Sequence, residues 1–288
     1  MLKVIDTNCL GSGKLRRFLQ SSPSNRAVLP DFVAMELYGC DDLHGIYANL
    51  SVLEDYSRQV VVLKPTRTIQ RMSGRTKGLR RRLIDHGQSR DFPKFVRALR
   101  LAKKGNLDLQ RQLRDYASSA RSHLDGMLAI ARERQFAAAR IATEFSKEER
   151  RIIRDGSAYT QTLADKIMRG CLHHAHAIAE QDRAAMPRIA QPDEYPNTFT
   201  FRWAACDLLQ AMRRGALGDS GNTKTTSIRN DMVDMLIVTH STFFDGVVTA
   251  EASVMRAHLE TCVLLSGMFG AHLPLKPWRM YAWEDDDI

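Results

Sequence analysis

Four acidic residues stand where a fold of alternating strands and helices would bring them together. Asp6 ends the opening stretch "MLKVID", and Glu36 lies in "DFVAMELYGC", which follows the short apolar stretch "RAVLP". Asp234 lies in the apolar stretch "IRNDMVDMLIVTH", and Glu251 follows "DGVVTA". Converging carboxylates repel one another and need a cation, and oxygen ligands without His or Cys favour Mg²⁺ or Mn²⁺. The pattern predicts a site for one of these two ions.

Strands and helices alternate at both ends of the chain. Short runs rich in apolar, mostly β-branched residues predict strands over 2–6, 26–30, 58–65 and 246–249. Helices are predicted over 13–20, 31–40, 201–217, 228–240 and 252–270, with Asp31 as the cap of the second. Such alternation indicates a parallel sheet, whose carboxyl edge is where ligands bind. Asp6 and Glu251 fall at that edge directly.

The middle of the chain has a different character. Residues 66–184 predict helix almost throughout, because Leu, Ala, Arg and Gln dominate and β-branched runs are absent. A connector with three prolines follows over 186–198, and the composition of 218–227 predicts a loop. We therefore predict a helix-dominated α/β fold, with a short central parallel sheet flanked by helices. Its α/β core would comprise residues 1–65 and 218–288, and a partly basic, all-helical insertion would comprise 66–217.

Three stretches resemble the motifs of the PIN-domain nucleases. "VIDTNCL" is similar to their opening strand and "LPDFVAMEL" to their second motif, while "NDMVDMLIVTHSTFFDGVVTAE" is similar to the third and fourth. The resemblance covers about 2–40 and 228–255 and leaves out the middle. The last acid is Glu251 where the family usually has Asp, and the insertion is longer than in compact toxin-like members. The resemblance implies a PIN-like fold and metal-dependent hydrolysis of phosphodiester bonds, most often in RNA.

This resemblance also implies roles for the acids and their neighbours. Asp6 and Asp234 would be inner-sphere metal ligands, and Glu36 would hold a metal-bound water or act as its base. Glu251 would assist a second metal or an outer-sphere water. Four further residues would orient or supplement these ligands: Asn8, Thr249, Asn230 and Asp231, the last of which is one helical turn from Asp234 and could substitute for it.

The net charge of +9 is concentrated in one block of the sequence. Between Lys64 and Arg114, sixteen Lys and Arg stand against three Asp, which suggests a face that binds a polyanion. A solvated helical surface is the alternative. Candidate nucleic-acid-binding residues follow two rows at helical spacing, Arg71, Arg75 and Arg82 in one and Arg90, Lys94 and Arg97 in the other. RNA is favoured over DNA as partner, and a homodimer or an acidic protein partner stays open.

Two other functions are compatible with the sequence. Four residues separate Arg169 from His174, a spacing found in HEPN-type metal-independent ribonucleases, so the helical block could carry the chemistry. The second alternative is a non-catalytic nucleic-acid-binding protein on a PIN-like fold. Under the leading hypothesis, the predicted type of ribonuclease is a toxin or a phage-defence effector, and the role of a housekeeping nuclease stays open.

The same sequence predicts a cytoplasmic protein without a membrane span. Asp6 interrupts the apolar segment that a signal peptide would need. No apolar run approaches the roughly 18–20 residues that cross a bilayer. The five cysteines are scattered and odd in number, which fits reduced thiols.

Overall fold

The computed structural model describes residues 1–39, 42–155, 159–181, 191–217 and 224–274; within these, 128–142, 181 and 225 are described by their backbone alone. Helices dominate the fold and surround one small parallel sheet. Its strands are β1 (Leu2–Ile5), β2 (Arg26–Leu29), β3 (Val60–Val62) and β4 (Val247–Val248), in the spatial order β3-β2-β1-β4. The four predicted strands are thus confirmed, each one to five residues shorter than expected.

The central strands of the sheet are buried on both faces. Val4 pairs with Val28 of β2 on one side and with Val247 of β4 on the other. Val4, Ile5, Ala27 and Val28 are inaccessible to solvent, as expected of a parallel sheet covered by helices on both faces. Because all four strands are parallel, their carboxyl ends lie along a single edge, and the chain leaves β1 there at Asp6.

Twelve helices enclose the sheet in the described part of the chain. In order they are α1 (Gly13–Gln20), α2 (Asp31–Tyr38), α3 (Leu43–Asp55), α4 (Thr66–Gln70), α5 (Leu79–Leu83), α6 (His86–Lys103), α7 (Leu107–Thr143), α8 (Lys147–Asp155), α9 (Gln161–Gln181), α10 (Phe199–Ala216), α11 (Thr225–Ser241) and α12 (Ala252–Ser266). The four helices predicted at the two ends and the one predicted over 201–217 are confirmed as α1, α2, α10, α11 and α12, and α3 was not predicted. The connector before α10 forms a short 3₁₀ helix over Pro192–Asn197, and residues 186–190 and 218–223 of the predicted connector and loop lie outside the described residues.

Side-chain caps fix where several helices begin. Ser12 accepts a hydrogen bond from the backbone N–H of Leu15 at the start of α1, and Asp42 and Asp85 cap α3 and α6 in the same way. The prediction that Asp31 caps α2 is wrong. Asp31 lies inside the first turn and accepts hydrogen bonds from the backbone N–H and the hydroxyl of Thr66, so it ties α2 to α4.

The hydrophobic core crosses residue 65, where the sequence placed the border of the insertion. Apolar side chains of α6 and α7 pack in the same cluster as the strands, among them Phe92, Val96, Leu99, Leu124 and Met127. A second cluster forms between α8, α9 and α10. The division into a core and an insertion stays a prediction, but part of 66–127 supports the sheet directly.

A buried arginine joins α10 to the segment that follows α11. Arg202 is inaccessible to solvent, and burial lowers the pKa of its guanidinium to about 10. It donates to the backbone carbonyls of Pro196, Thr242 and His272, to the Thr242 hydroxyl and to Asn197 Oδ1, over 2.6–3.2 Å. The rigid fork of guanidinium donors suits such a set of acceptors. Arg202 therefore fixes how α10 packs beside the turn that leads into β4.

Two remaining sequence predictions concern the thiols and the membrane. The described cysteines Cys9, Cys171, Cys206 and Cys262 are buried and free, as expected. Along the described segments, each helix is too short or too polar to cross a membrane.

Candidate carboxylate site

Asp6 and Thr249 tie the ends of β1 and β4 together. The backbone N–H of Asp6 donates to the carbonyl of Val248 over 2.9 Å, which continues the strand pairing one residue beyond β1. The hydroxyl of Thr249 donates to Asp6 Oδ2 over 2.6 Å. Asp6 is only 3% exposed, so its carboxylate is held in one orientation at the carboxyl edge of the sheet.

Helix α2 brings Glu36 to the same edge. Glu36 is half-buried, and its Oε2 accepts a hydrogen bond from the hydroxyl of Thr7 over 2.6 Å. Thr7 was missing from the predicted site, although it directly follows Asp6 in the stretch "IDTN". The hydrogen bond between Thr7 and Glu36 thus joins α2 to the short turn that follows β1.

Asn8 links this turn to Glu251. Its side-chain nitrogen donates to Glu251 Oε1 over 3.0 Å, and its Oδ1 accepts from the backbone N–H of Ala250 over 3.2 Å. The backbone N–H of Glu251 also donates to the hydroxyl of Thr249 over 3.0 Å. The predicted supporting residues Asn8 and Thr249 are therefore both in contact with predicted acids, and Glu251 is exposed at the rim.

Asp234 completes the group from the half-buried face of α11. Burial, followed by the charges of Glu251, Asp6 and Glu36 in that order, raises the pKa of its carboxyl to about 8. Because the interaction between charges falls with distance, this influence of three acids on one places Asp234 among them. Without a cation, Asp234 is mostly protonated at neutral pH.

The other acids also act on one another. Burial raises the pKa of Asp6, which the Thr249 hydrogen bond opposes and the charge of Glu251 reinforces. Burial likewise raises the pKa of Glu36; the Thr7 hydrogen bond and the guanidinium of Arg229 lower it, while Asp6 and Glu251 raise it. All six pairs that the four acids can form are thus electrostatically coupled. Such coupling is typical of functional sites.

The donor set suits a hard divalent cation, but its side chains are spread apart. Within the described residues, no three His, Cys, Asp or Glu side chains form a group arranged to hold a metal ion. Thr7, Asn8 and Thr249 instead hold three of the four carboxylates, and mutual repulsion favours this separation. Carboxylate oxygens are the ligands that Mg²⁺ and Mn²⁺ prefer. The fit to these ions therefore depends on donor chemistry and negative charge.

Two predicted supporting residues of α11 point elsewhere. Asp231 forms an ion pair with Arg214 of α10 and accepts a hydrogen bond from Gln210 over 3.3 Å. Asn230 is exposed, and its Oδ1 accepts from the guanidinium of Arg229 over 2.9 Å. Because Asp231 is paired in this way, the structure disfavours the prediction that it could substitute for Asp234. Arg229, whose charge acts on Glu36, is a neighbour of the site that the sequence did not indicate.

Arg169 and His174, the pair behind the metal-independent alternative, lie on different faces of α9. Five positions along a helix correspond to a rotation of about 140°. Arg169 is exposed, whereas His174 Nε2 lies 2.8 Å from Asp207 Oδ2 on α10. The helix therefore does not present the two side chains to one substrate group.

The two predicted rows of basic residues differ in outcome. Arg90, Lys94 and Arg97 lie on α6 at the expected spacing and are exposed. The other row is wrong, because the chain is not helical from Arg71 to Gly78, between α4 and α5. Arg82 moreover donates to Ser73 and to the carbonyl of Arg75. Arg82 thus holds a loop, which leaves the row on α6 as the better candidate for binding phosphates.

Comparison of the chain with protein-family models, with curated proteins and with solved structures found no match. The likeness to PIN-domain nucleases accordingly rests on the sequence motifs alone.

Proposed function

We propose that this protein is a Mg²⁺- or Mn²⁺-dependent nuclease that hydrolyses phosphodiester bonds, with RNA favoured over DNA as its substrate. The observation that supports this most strongly is the mutual coupling of Asp6, Glu36, Asp234 and Glu251 at the carboxyl edge of a parallel sheet. In open α/β sheets this edge is where ligands bind. Four acids would be costly to assemble there without a cation.

The side chains have distinct parts in this proposal. A bound divalent cation would lower the pKa of water and neutralise charge on the phosphate. Asp6 and Asp234 would hold the cation, and Glu36 would hold or deprotonate the attacking water. Glu251, at the exposed rim, would act toward a second ion or an outer water. Thr249, Thr7 and Asn8 keep their carboxylate partners oriented.

The basic block supports a nucleic acid as the substrate. Exposed cations on α6 would contact phosphates, which adds affinity without sequence preference. The preference for RNA follows from the resemblance to PIN-domain nucleases. We also propose the cytoplasm as the compartment and a toxin or phage-defence effector as the role.

Cleavage assays on four labelled substrates test the proposal. Purified protein is incubated with tRNA, mRNA, single-stranded DNA and duplex DNA, with Mn²⁺ or with EDTA. Cleavage should require the ion and should fall at least about 100-fold in Asp6→Asn, which removes one charge and keeps the shape. Asp55→Asn is the matched control, because Asp55 pairs with Arg16 on the surface.

The outcomes separate the alternatives. Cleavage that persists in EDTA would favour a metal-independent reaction such as that suggested for Arg169 and His174. Binding of substrates without any cleavage would favour a non-catalytic nucleic-acid-binding protein. Normal turnover by folded Asp6→Asn protein would refute the metal assignment.

A further inference from the structure

A largely apolar cavity of about 570 Å³ lies at the carboxyl ends of β2 and β3. Its walls come from the carboxyl ends of β2 and β3 and from α2, α6 and α7. The volume falls in the range of small-molecule pockets, roughly 300–1,000 Å³. Apolar and aromatic side chains form most of the lining, chiefly Ala34, Met35, Tyr38, Phe92, Phe95 and Tyr116.

Helix α2 separates this cavity from the acids. Asp31, Ala34, Met35 and Tyr38 line the cavity at the spacing of a single helical face, whereas Glu36 lies about 100° away from Met35 and contacts Thr7. The cavity thus lies at the ends of β3 and β2, whereas Asp6 and Glu251 follow the ends of β1 and β4. Since neighbouring strands are about 4.8 Å apart, both sites share one edge within reach of one extended ligand.

Besides the carboxylates of Asp31 and Asp91, the lining has a few polar groups of the kind that hydrogen-bond to a flat heterocycle. Gln88, Ser119 and His123 line the cavity among the apolar residues. Tyr38 and Tyr116 are tilted toward each other with ring centroids 5.7 Å apart. Aromatic walls with a few hydrogen-bonding groups are how proteins hold an unstacked base.

Two exposed cations lie next to the wall of the cavity that α6 forms. Asp91 lines the cavity, and Lys94 Nζ lies 2.9 Å and Arg90 Nε 3.6 Å from its Oδ1. Both cations are largely exposed. Asp31, on the wall that α2 forms, is a second acid of the lining, and its carboxylate accepts hydrogen bonds from Thr66. The apolar and aromatic walls match the base of a nucleotide, and the exposed side chains of Arg90 and Lys94 next to them match its phosphates.

We propose that this cavity binds one base of a single-stranded nucleic acid whose nearby phosphate lies at the carboxylate site. The proposal rests on the proposed function, and it adds that the substrate is recognised through an unpaired base. The aromatic and apolar walls contact the faces of the base, while Arg90 and Lys94 contact the flanking phosphates. A base stacked in a duplex cannot enter, so single strands and loops bind better than duplexes.

Variants that fill the cavity with a large side chain test the proposal through the affinity for RNA, without any need for cleavage. Ser119→Trp places a large ring on the exposed wall formed by α7, and Ser118→Trp makes the same change at the adjacent exposed residue, which does not line the cavity. Gln88→Trp fills the cavity from α6. Binding of a short fluorescein-labelled single-stranded RNA is followed by fluorescence anisotropy in EDTA. Ser119→Trp and Gln88→Trp should each weaken binding about tenfold or more, and Ser118→Trp should not.

A modified oligonucleotide identifies the ligand as a base. Removing one base at each position in turn should reveal one position where wild-type protein loses about tenfold in affinity. With Ser119→Trp, the loss at that position should disappear, because the base no longer enters the cavity. Circular dichroism and Tm verify that each variant is folded.

The outcomes for the cavity are distinct from those for the nuclease. Equal affinities of folded Ser119→Trp, Gln88→Trp and Ser118→Trp variants would overturn the base pocket, even if the protein cleaves RNA in Mn²⁺. Selective weakening by the two cavity-filling variants, in a protein that never cleaves, would support the pocket and refute the nuclease. Equal losses at every abasic position would also overturn the proposal.

Discussion

Thr249 donates its hydroxyl proton to Asp6 Oδ2 over 2.6 Å and so joins the ends of two strands that are 243 positions apart in the chain. This hydrogen bond favours the charged form of Asp6 against the burial that disfavours it. Thr249→Val keeps the shape and removes the donor. We expect its kcat in Mn²⁺ to fall about 10- to 100-fold, as for other residues that orient a ligand. Thr249→Ser retains the hydroxyl and should stay near wild type; equal losses in both variants would contradict this role.

Asp234 should make the metal-free protein less stable as the pH rises. Its pKa is about 8 in the folded protein against 3.8 for the ordinary group, so between these values the folded state binds more protons than the unfolded chain. The stability that the protonated Asp234 carboxyl contributes is fully present below about pH 4 and is lost as the pH rises toward 8. Asp234→Asn has no such loss. In EDTA at about pH 8, its Tm should exceed that of wild type by at least about 2 °C. A lower Tm would instead indicate that the ionised Asp234 carboxylate has a stabilising partner.

Divalent ions should stabilise the folded protein, and more so at higher pH. Because the cation binds ionised carboxylates, the rise in Tm on adding Mn²⁺ should be larger at about pH 8 than at about pH 6. An ion at 100 times its Kd adds about 2.7 kcal/mol to the free energy of unfolding. Thermal shift measurements with and without Mn²⁺ check this, with Asp55→Asn as control. A full Mn²⁺ shift in Asp6→Asn would contradict the proposed ligand.

The row on α6 should set affinity for nucleic acids through phosphates. Replacing Arg90, Lys94 and Arg97 together by Gln should weaken binding of unrelated single strands about equally. The slope of log affinity against log salt should fall by up to about 0.7 for each phosphate that is no longer neutralised. A triple variant of α8, with Arg150, Arg151 and Arg154 changed to Gln, removes the same charge from another surface. Equal salt slopes in the two triple variants would show that α6 is only a solvated surface.

Arg202 should stabilise the fold through its set of hydrogen bonds and not through its positive charge alone. Its donors satisfy carbonyl oxygens of three residues beside the hydroxyl of Thr242 and Asn197 Oδ1. Lys cannot reach them all, so Arg202→Lys should lower the free energy of unfolding by at least about 2 kcal/mol, because buried acceptors lose their donors. Urea denaturation measures this change. Arg58→Met, at an exposed position, is the control, and an unchanged midpoint in Arg202→Lys would refute the role.

The strands and the helices at both ends were predictable because their signals are local. Apolar runs that end in Asp6, in Pro30 and near Thr249 mark strand ends without knowledge of their neighbours. Helix α3 was missed because "LHGIYANLSVLED" contains a Gly, an Asn and a Ser, all weak helix formers. Its apolar residues gain their stability by packing against the core, which a local pattern does not show.

The sequence by itself determined that Asp6 and Glu251 follow strands and that Asp234 lies on an apolar helix, because those facts depend on adjacent residues. Only the tertiary structure decided which polar groups meet: Thr7 with Glu36, Asn8 with Glu251, and Asp231 with Arg214 rather than with the other acids. It alone showed the cavity, which five separate elements enclose. Residues far apart in the chain have no local signal of their pairing, since packing of the whole core brings them together.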